Sequence, residues 1–88
     1  MTEASTAYWV EVRVELKPGI MDAEAENIHK TLGLLGLSEL AAVETAHVYS
    51  LRFDGISPER AMELAGRAVD QLLANPVVHR VLVSPRGR

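Results

Sequence analysis

Nine residues near the N-terminus, Tyr8 to Leu16 (YWVEVRVEL), restrict the fold more than any other stretch of the chain. Tyr8, Val10, Val12, Val14 and Leu16 alternate with Trp9, Glu11, Arg13 and Glu15. Successive side chains of a strand point to opposite faces, so this period of two describes a strand with one apolar face and one largely charged face. Such a strand needs partners on its edges and a second layer over its apolar side. The rest of an 88-residue chain must supply both. Lys17-Pro18-Gly19 ends the strand, because proline donates nothing to a ladder and glycine permits a tight turn.

The remaining segments read as two helices and two further strand regions. Asp22 to Leu35 is the first helix, with Asp22 as N-cap and Glu24 and Glu26 near the positive end of the helix dipole. Ala25, Ile28, Leu32 and Leu35 form its apolar stripe, and Gly36 is its stop. Gly33 costs the helix roughly 1 kcal/mol relative to alanine and suits a close packing contact. Leu40 to Phe53 is strand-like, but its apolar phase slips near Ala46, which implies a long bent strand or a tightly joined pair. Ser57-Pro58-Glu59 opens the second helix, whose stripe is Met62, Ala65, Val69, Leu72 and Leu73. Asn75-Pro76 ends it, since proline cannot continue a helix and pushes the residue before it out of the helical region. Val77 to Val83 is the last strand. The expected fold is α+β: a two-layer sandwich in β-α-β(β)-α-β order, a small antiparallel sheet with both helices on one face. Residues 1–88 are expected to form a single domain with an ordered core over about 8–84 and mobile ends, Met1 to Ala7 and Pro85 to Arg88.

Composition narrows the function. There is no cysteine, so disulfides and thiolate zinc sites are excluded. His29, His47 and His79 fall in different elements and form no ligand pair, and no metal or cofactor is expected. The net charge of −3 argues against nucleic acid, which needs a basic face. No apolar run reaches the length of a membrane span, and residues 1–7 lack the pattern of a signal peptide, so the expected location is the cytoplasm. An apolar fraction of 48% is high for so small a domain and points to a homo-oligomer.

No catalytic constellation emerges. Glu11 and Glu15, with Arg13 between them, read as alternating charges on a solvated strand face rather than as an acid–base pair. His29 reads as a surface residue and His79 as a half-buried strand residue. His47 is a possible general base, but no activated nucleophile stands near it, and nothing marks Ser50 as one. Lys17-Pro18-Gly19 meets an acidic helix start and makes a poor anion cradle. Trp9 lies on the face that the helices should leave open, where tryptophan makes a good interface anchor. Leu34 and Leu37 fall off the helical stripe and add apolar surface. These features suit a protein-binding module better than an enzyme.

Three stretches, VRVELKPGIMD (Val12 to Asp22), IHKTLGLLG (Ile28 to Gly36) and QLLANPVVHRVLV (Gln71 to Val83), resemble the PurS family. The resemblance spans roughly Val10 to Val83. Two departures stand out: Asp22-Ala23-Glu24-Ala25 replaces the family's usual Asp-Pro-Gln-Gly, and Ala46-His47 replaces a usual Gly-Lys. The resemblance implies the small subunit of phosphoribosylformylglycinamidine synthase, a step of purine biosynthesis. It implies no catalytic residues of the chain's own, within an ATP- and glutamine-dependent ligase. It also implies self-association, as a dimer or dimer of dimers, and partners in the glutaminase subunit PurQ and the large synthetase subunit PurL, which this chain would join so that ammonia passes between them. The candidate contact residues are Trp9, the rigid turn Lys17, Pro18 and Gly19, His47 at the position of the missing lysine, and the junction Asn75 and Pro76. The competing expectation is a small-molecule-sensing regulatory dimer, with Lys17-Pro18-Gly19 as its only ligand-binding turn.

Overall fold

The structure, a computed structural model, describes residues 7–86. Its order is β1 (Tyr8–Leu16), α1 (Ala23–Leu34), β2 (Ala46–Phe53), α2 (Pro58–Ala68) and β3 (His79–Pro85). The three strands form an antiparallel sheet in the order β2-β1-β3. The alternation of β1 earns it the central position. Val10, Val12 and Val14 are buried beneath α2, which lies on β1 and β3 and contributes the buried Ala61 and Ala65. Alanines at the contact let the helix backbone approach the sheet closely. Tyr49, Leu51, Phe53, Val81 and Val83 complete the core from the flanking strands.

The class is the expected α+β, but the layering differs. Among the described residues only α2 covers the sheet; α1 has no comparable packing on it. The molecule measures 56 × 29 × 14 Å. Its long dimension fits a nine-residue strand of about 30 Å followed nearly end to end by a twelve-residue helix of about 18 Å. Of the expected stripe on α1, Ala25 is buried and Leu32 half-buried, while Ile28 is 36% and Leu35 72% exposed. Beyond its own helix, Gly33 has no atom of the described residues within 4 Å of where a Cβ would stand, so it mediates no close packing among them.

Residues 40–45 are not a strand. Ala46 already pairs with Glu15, near the end of β1, so the residues before it find no strand to join. They run back along α1 instead, where His29 Nε2 lies 2.8 Å from the carbonyl oxygen of Leu40. The apolar phase slip at Ala46 therefore marks the start of β2. The last strand is also displaced: Val77 and Val78 belong to the preceding turn, and Pro85 pairs with Val10. The Arg86 amide donates to Trp9 O at 3.0 Å, so Pro85 and Arg86 are held against β1 rather than forming a loose end. The expectation of mobile ends otherwise concerns residues 1–6 and 87–88, outside the described residues.

Local signals explain the helix ends. Asp22 caps α1 through the Ala25 amide at 2.9 Å. Gly36, at φ +109°, closes it: its amide donates to Gly33 O and that of Leu37 to Leu32 O, the paired bonds of a Schellman stop. Ser57 caps α2 through the Arg60 amide at 3.0 Å. This helix ends in a π-helical turn, Val69–Leu73, closed by Ala74 N donating to Val69 O at 3.3 Å. The wider turn shifts later residues around the axis. Leu73 still faces the core, but Leu72, expected on the stripe, is 84% exposed.

Candidate partner-contact site

The fold gathers most of the candidate contact residues at one end of the sheet. Lys17-Pro18-Gly19-Ile20 is a turn closed by Ile20 N donating to Lys17 O at 3.1 Å. Pro18 fixes the first central position and Gly19, at φ +88°, takes the second, the requirement of a type II turn. The junction after α2 is bonded as tightly. Asn75 Oδ1 accepts from Val77 N at 2.9 Å, and Asn75 O accepts from Val78 N and His79 N at 3.1 and 2.8 Å. The Asn75 amide donates to His79 Nδ1 at 2.9 Å, which leaves the proton of the neutral ring on Nε2. Lys17 N then donates to Val78 O at 2.9 Å and binds the two turns to each other. Lys17, Pro18, Gly19, Asn75 and Pro76 line this bonded edge, and all five stand open to solvent.

His47 stands at the same end because β2 starts there, opposite Val14. Its ring is exposed and stacks on Tyr49, with centroids 6.2 Å apart and planes 24° from parallel. It occupies the α2 side of the sheet, whereas Ser50 pairs with Glu11 on the other side, so the two form no catalytic pair. Trp9 is separated from this cluster. It lies at the far end of the outer face, half-buried, with the Arg86 guanidinium 4.2 Å from its ring centroid.

Two carboxylates organise the junction between sheet and α1. Glu15 accepts from Arg13 Nε at 2.6 Å and from Arg80 Nη2 and Nε at 2.7 and 3.1 Å. Hydrogen bonds from Arg13 and then Arg80 hold its carboxyl below the usual carboxylate range. Asp22 accepts from Thr45 Oγ1 at 2.6 Å and Thr45 N at 3.3 Å as well as capping α1. The Thr45 hydroxyl, then the Ala25 amide, lowers its pKa. Asp22 thus ties the start of α1 to the entrance of β2. Between these groups lies an open hollow of about 320 Å3, lined by Lys17-Pro18-Gly19 among others. The sequence reading missed the Thr45 and Arg80 contacts and the hollow. It also placed His29 at the surface, where the structure makes it half-buried against the returning loop. Among the described residues, no group of three or more His, Asp or Glu side chains is arranged to hold a metal ion.

Comparison with known proteins places this architecture in one family. The PurS model, described as phosphoribosylformylglycinamidine (FGAM) synthase, matches residues 9–86. The phosphoribosylformylglycinamidine synthase subunit PurS of Archaeoglobus fulgidus is 36% identical over 70 residues, covering 80% of this chain and 88% of the relative. That of Methanothermobacter thermautotrophicus is 36% identical over 77 residues, covering 88% and 90%. The crystal structure of Methanocaldococcus jannaschii PurS superposes with a TM-score of 0.79 at 26% identity, covering 90% of this chain and 95% of that one. A chain in the structure of PurLQS from Thermotoga maritima has the same fold, with a TM-score of 0.81 at 21% identity and coverage of 91% and 98%. With sequence matched from Trp9 to Arg86 and the three-stranded, two-helix fold shared, the chain belongs to the PurS family of phosphoribosylformylglycinamidine synthase subunits.

Proposed function

We propose that this chain is a non-catalytic subunit that joins the glutaminase PurQ to the ATP-dependent synthetase PurL, so that ammonia released from glutamine reaches the synthetase undiluted. Membership of the PurS family over residues 9–86 carries this reading. The PurLQS structure that contains a chain of this fold supports the choice of partners. The physical logic is placement. Ammonia released to water is diluted and largely protonated, whereas two active sites held together keep its effective concentration high. A scaffold needs rigid binding surfaces for this, and the bonded edge of Lys17-Pro18-Gly19 and Asn75-Pro76 is one. No helix of the described residues is long and apolar enough to cross a membrane. A cytoplasmic site of action belongs to the same proposal and rests on the family membership. Self-association belongs to it too, because Ile28, Leu35, Val48 and Leu82 remain uncovered in the single chain.

The hollow beside Lys17-Pro18-Gly19 is the feature that favours the sensor reading. Its carboxylates Glu15 and Asp22 are already bonded to Arg13, Arg80, Thr45 and Ala25, which leaves them poorly placed to recognise a ligand. Size-exclusion chromatography of the purified chain with PurL and PurQ tests the proposal. All three should elute together in the presence of glutamine and fail to do so when this chain is omitted. A large rise in melting temperature with an amino acid or nucleotide, without complex formation, would favour the sensor instead.

A further inference from the structure

The three histidines are engaged differently, and His79 alone is held by a bond that needs an unprotonated ring nitrogen. His29 Nε2 faces the carbonyl oxygen of Leu40, which only accepts, so that ring donates and keeps its bond with one proton or two. His47 stacks on Tyr49 with its ring exposed. His79 Nδ1 instead accepts from the Asn75 amide at 2.9 Å, and an imidazolium has no nitrogen left to accept. Asn75 and His79 bond reciprocally, since His79 N donates to Asn75 O at 2.8 Å. This pair closes the Asn75-Pro76 turn, and Lys17 N on Val78 O ties the second turn to it. The surroundings offer a charged ring no compensation. On β1 its register partner is Leu16, and Lys17, the next residue, adds a cation. Arg80 follows on β3 but reaches Glu15 on the opposite face. On α2, Arg60 pairs with Glu63, while Glu59 and Arg67 are exposed, as is Asp70 on the π-helical turn. Among the described residues, no carboxylate forms an ion pair with His79.

We infer that His79 is a proton switch for the bonded edge: a neutral ring locks the two turns together, and a second proton opens the Asn75-Pro76 turn and weakens the hold of the edge on a partner subunit. Protonation sets two donors, the Asn75 amide and Nδ1–H, against each other across 2.9 Å, and one must move away. The turn then keeps only its bonds from Val77, Val78 and His79 amides, which lie on one side of Asn75. Histidine is the side chain whose ordinary charge change falls between about pH 5 and pH 8, an interval in which ordinary carboxylates stay ionised. The effect on a partner rests on the function proposed above; the switch itself is a property of this chain alone.

Nitrogen-15 NMR of the purified chain reads the switch directly. At about pH 8 the His79 ring should carry its proton on Nε2; a proton on Nδ1 would overturn the inference. As the ring takes its second proton, exchange protection of the Asn75 amide, corrected for the intrinsic pH dependence of exchange, should fall about fivefold, the worth of one hydrogen bond. His79→Gln supplies an acceptor oxygen that does not titrate, so its Asn75 protection should stay level over the same interval. Protection that stays level in the wild type, or falls equally in H79Q, would overturn the switch. If H79Q does not fold, the wild-type titration decides alone: the loss must follow the His79 ring signal, and a loss that follows His29 or His47 instead would overturn it. With PurL and PurQ, lowering the pH across this interval should weaken co-elution of the wild type more than that of H79Q. Equal weakening would overturn the effect on the partner. Absence of co-elution at every pH would overturn that effect together with the function proposed above, while the NMR titration still decides the switch.

Discussion

Asp22 shows how one side chain can set the path of the whole chain. It caps α1 and holds Thr45 through both the hydroxyl and the amide. Its folded pKa is lowered, so its contribution is fully present above the unfolded pKa and is lost as pH falls through the lower, folded pKa. Glu15, held by Arg13 and Arg80, acts in the same direction over the same range. Asp22→Asn should therefore lower the melting temperature at neutral pH and reduce the further drop expected of the wild type as pH falls below the unfolded carboxylate pKa of about 4. An acid limb as steep as in the wild type would show that Asp22 is not among the groups responsible. The cap was legible in the sequence, because an aspartate stands directly before a periodic apolar run. Its bond to Thr45 was not, since no local rule relates residues 23 positions apart. Glu15 and Arg80 were hidden in the same way: each reads alone as a solvated charge, and only the β1–β3 register places them side by side.

Among the elements, α2 has the least freedom. Ala61 and Ala65 are fully buried against β1 and β3, where a larger side chain would lift the helix off the sheet. Ala65→Leu should destabilise the fold by about 1–3 kcal/mol in a denaturant titration. Val12→Ala, in the strand beneath, should cost about 2 kcal/mol through lost methyl burial and the space left behind. A leucine at position 65 without penalty would mean that the helix does not approach the sheet as described. Periodicity found β1 and both helices because each pattern repeats over several turns or pleats. It failed where another constraint intervened. The π-helical turn moved Leu72 out of the stripe, and the end of β1 left residues 40–45 without a strand to pair with. The stripe of α1 was read correctly as apolar. That it would go uncovered was not legible, because a pattern shows which face seeks burial but not which molecule supplies it.

On the scale of the molecule, the chain is an elongated bracket whose rigid end carries Lys17-Pro18-Gly19 and Asn75-Pro76. Composition and spacing alone reached no further than a small binding module; the ordered motifs from Val12 to Val83 supplied the rest, and the family match bore them out. If the bonded edge meets a partner subunit, Lys17→Glu should leave the melting temperature nearly unchanged, since an exposed substitution stays within about 0.5 kcal/mol. It should nonetheless weaken co-elution with PurL and PurQ. Unaltered co-elution would move the contact elsewhere on the surface. The central claim is that this chain carries no chemistry of its own and makes the glutamine reaction possible by placement. Reconstituted PurL and PurQ, supplied with ATP and formylglycinamide ribonucleotide, can be assayed for amidine formation with glutamine or with ammonium as nitrogen donor, with and without this chain. The account predicts that omitting it abolishes the glutamine-dependent reaction while leaving most of the ammonium-dependent one. Undiminished glutamine-dependent activity in its absence would contradict the account.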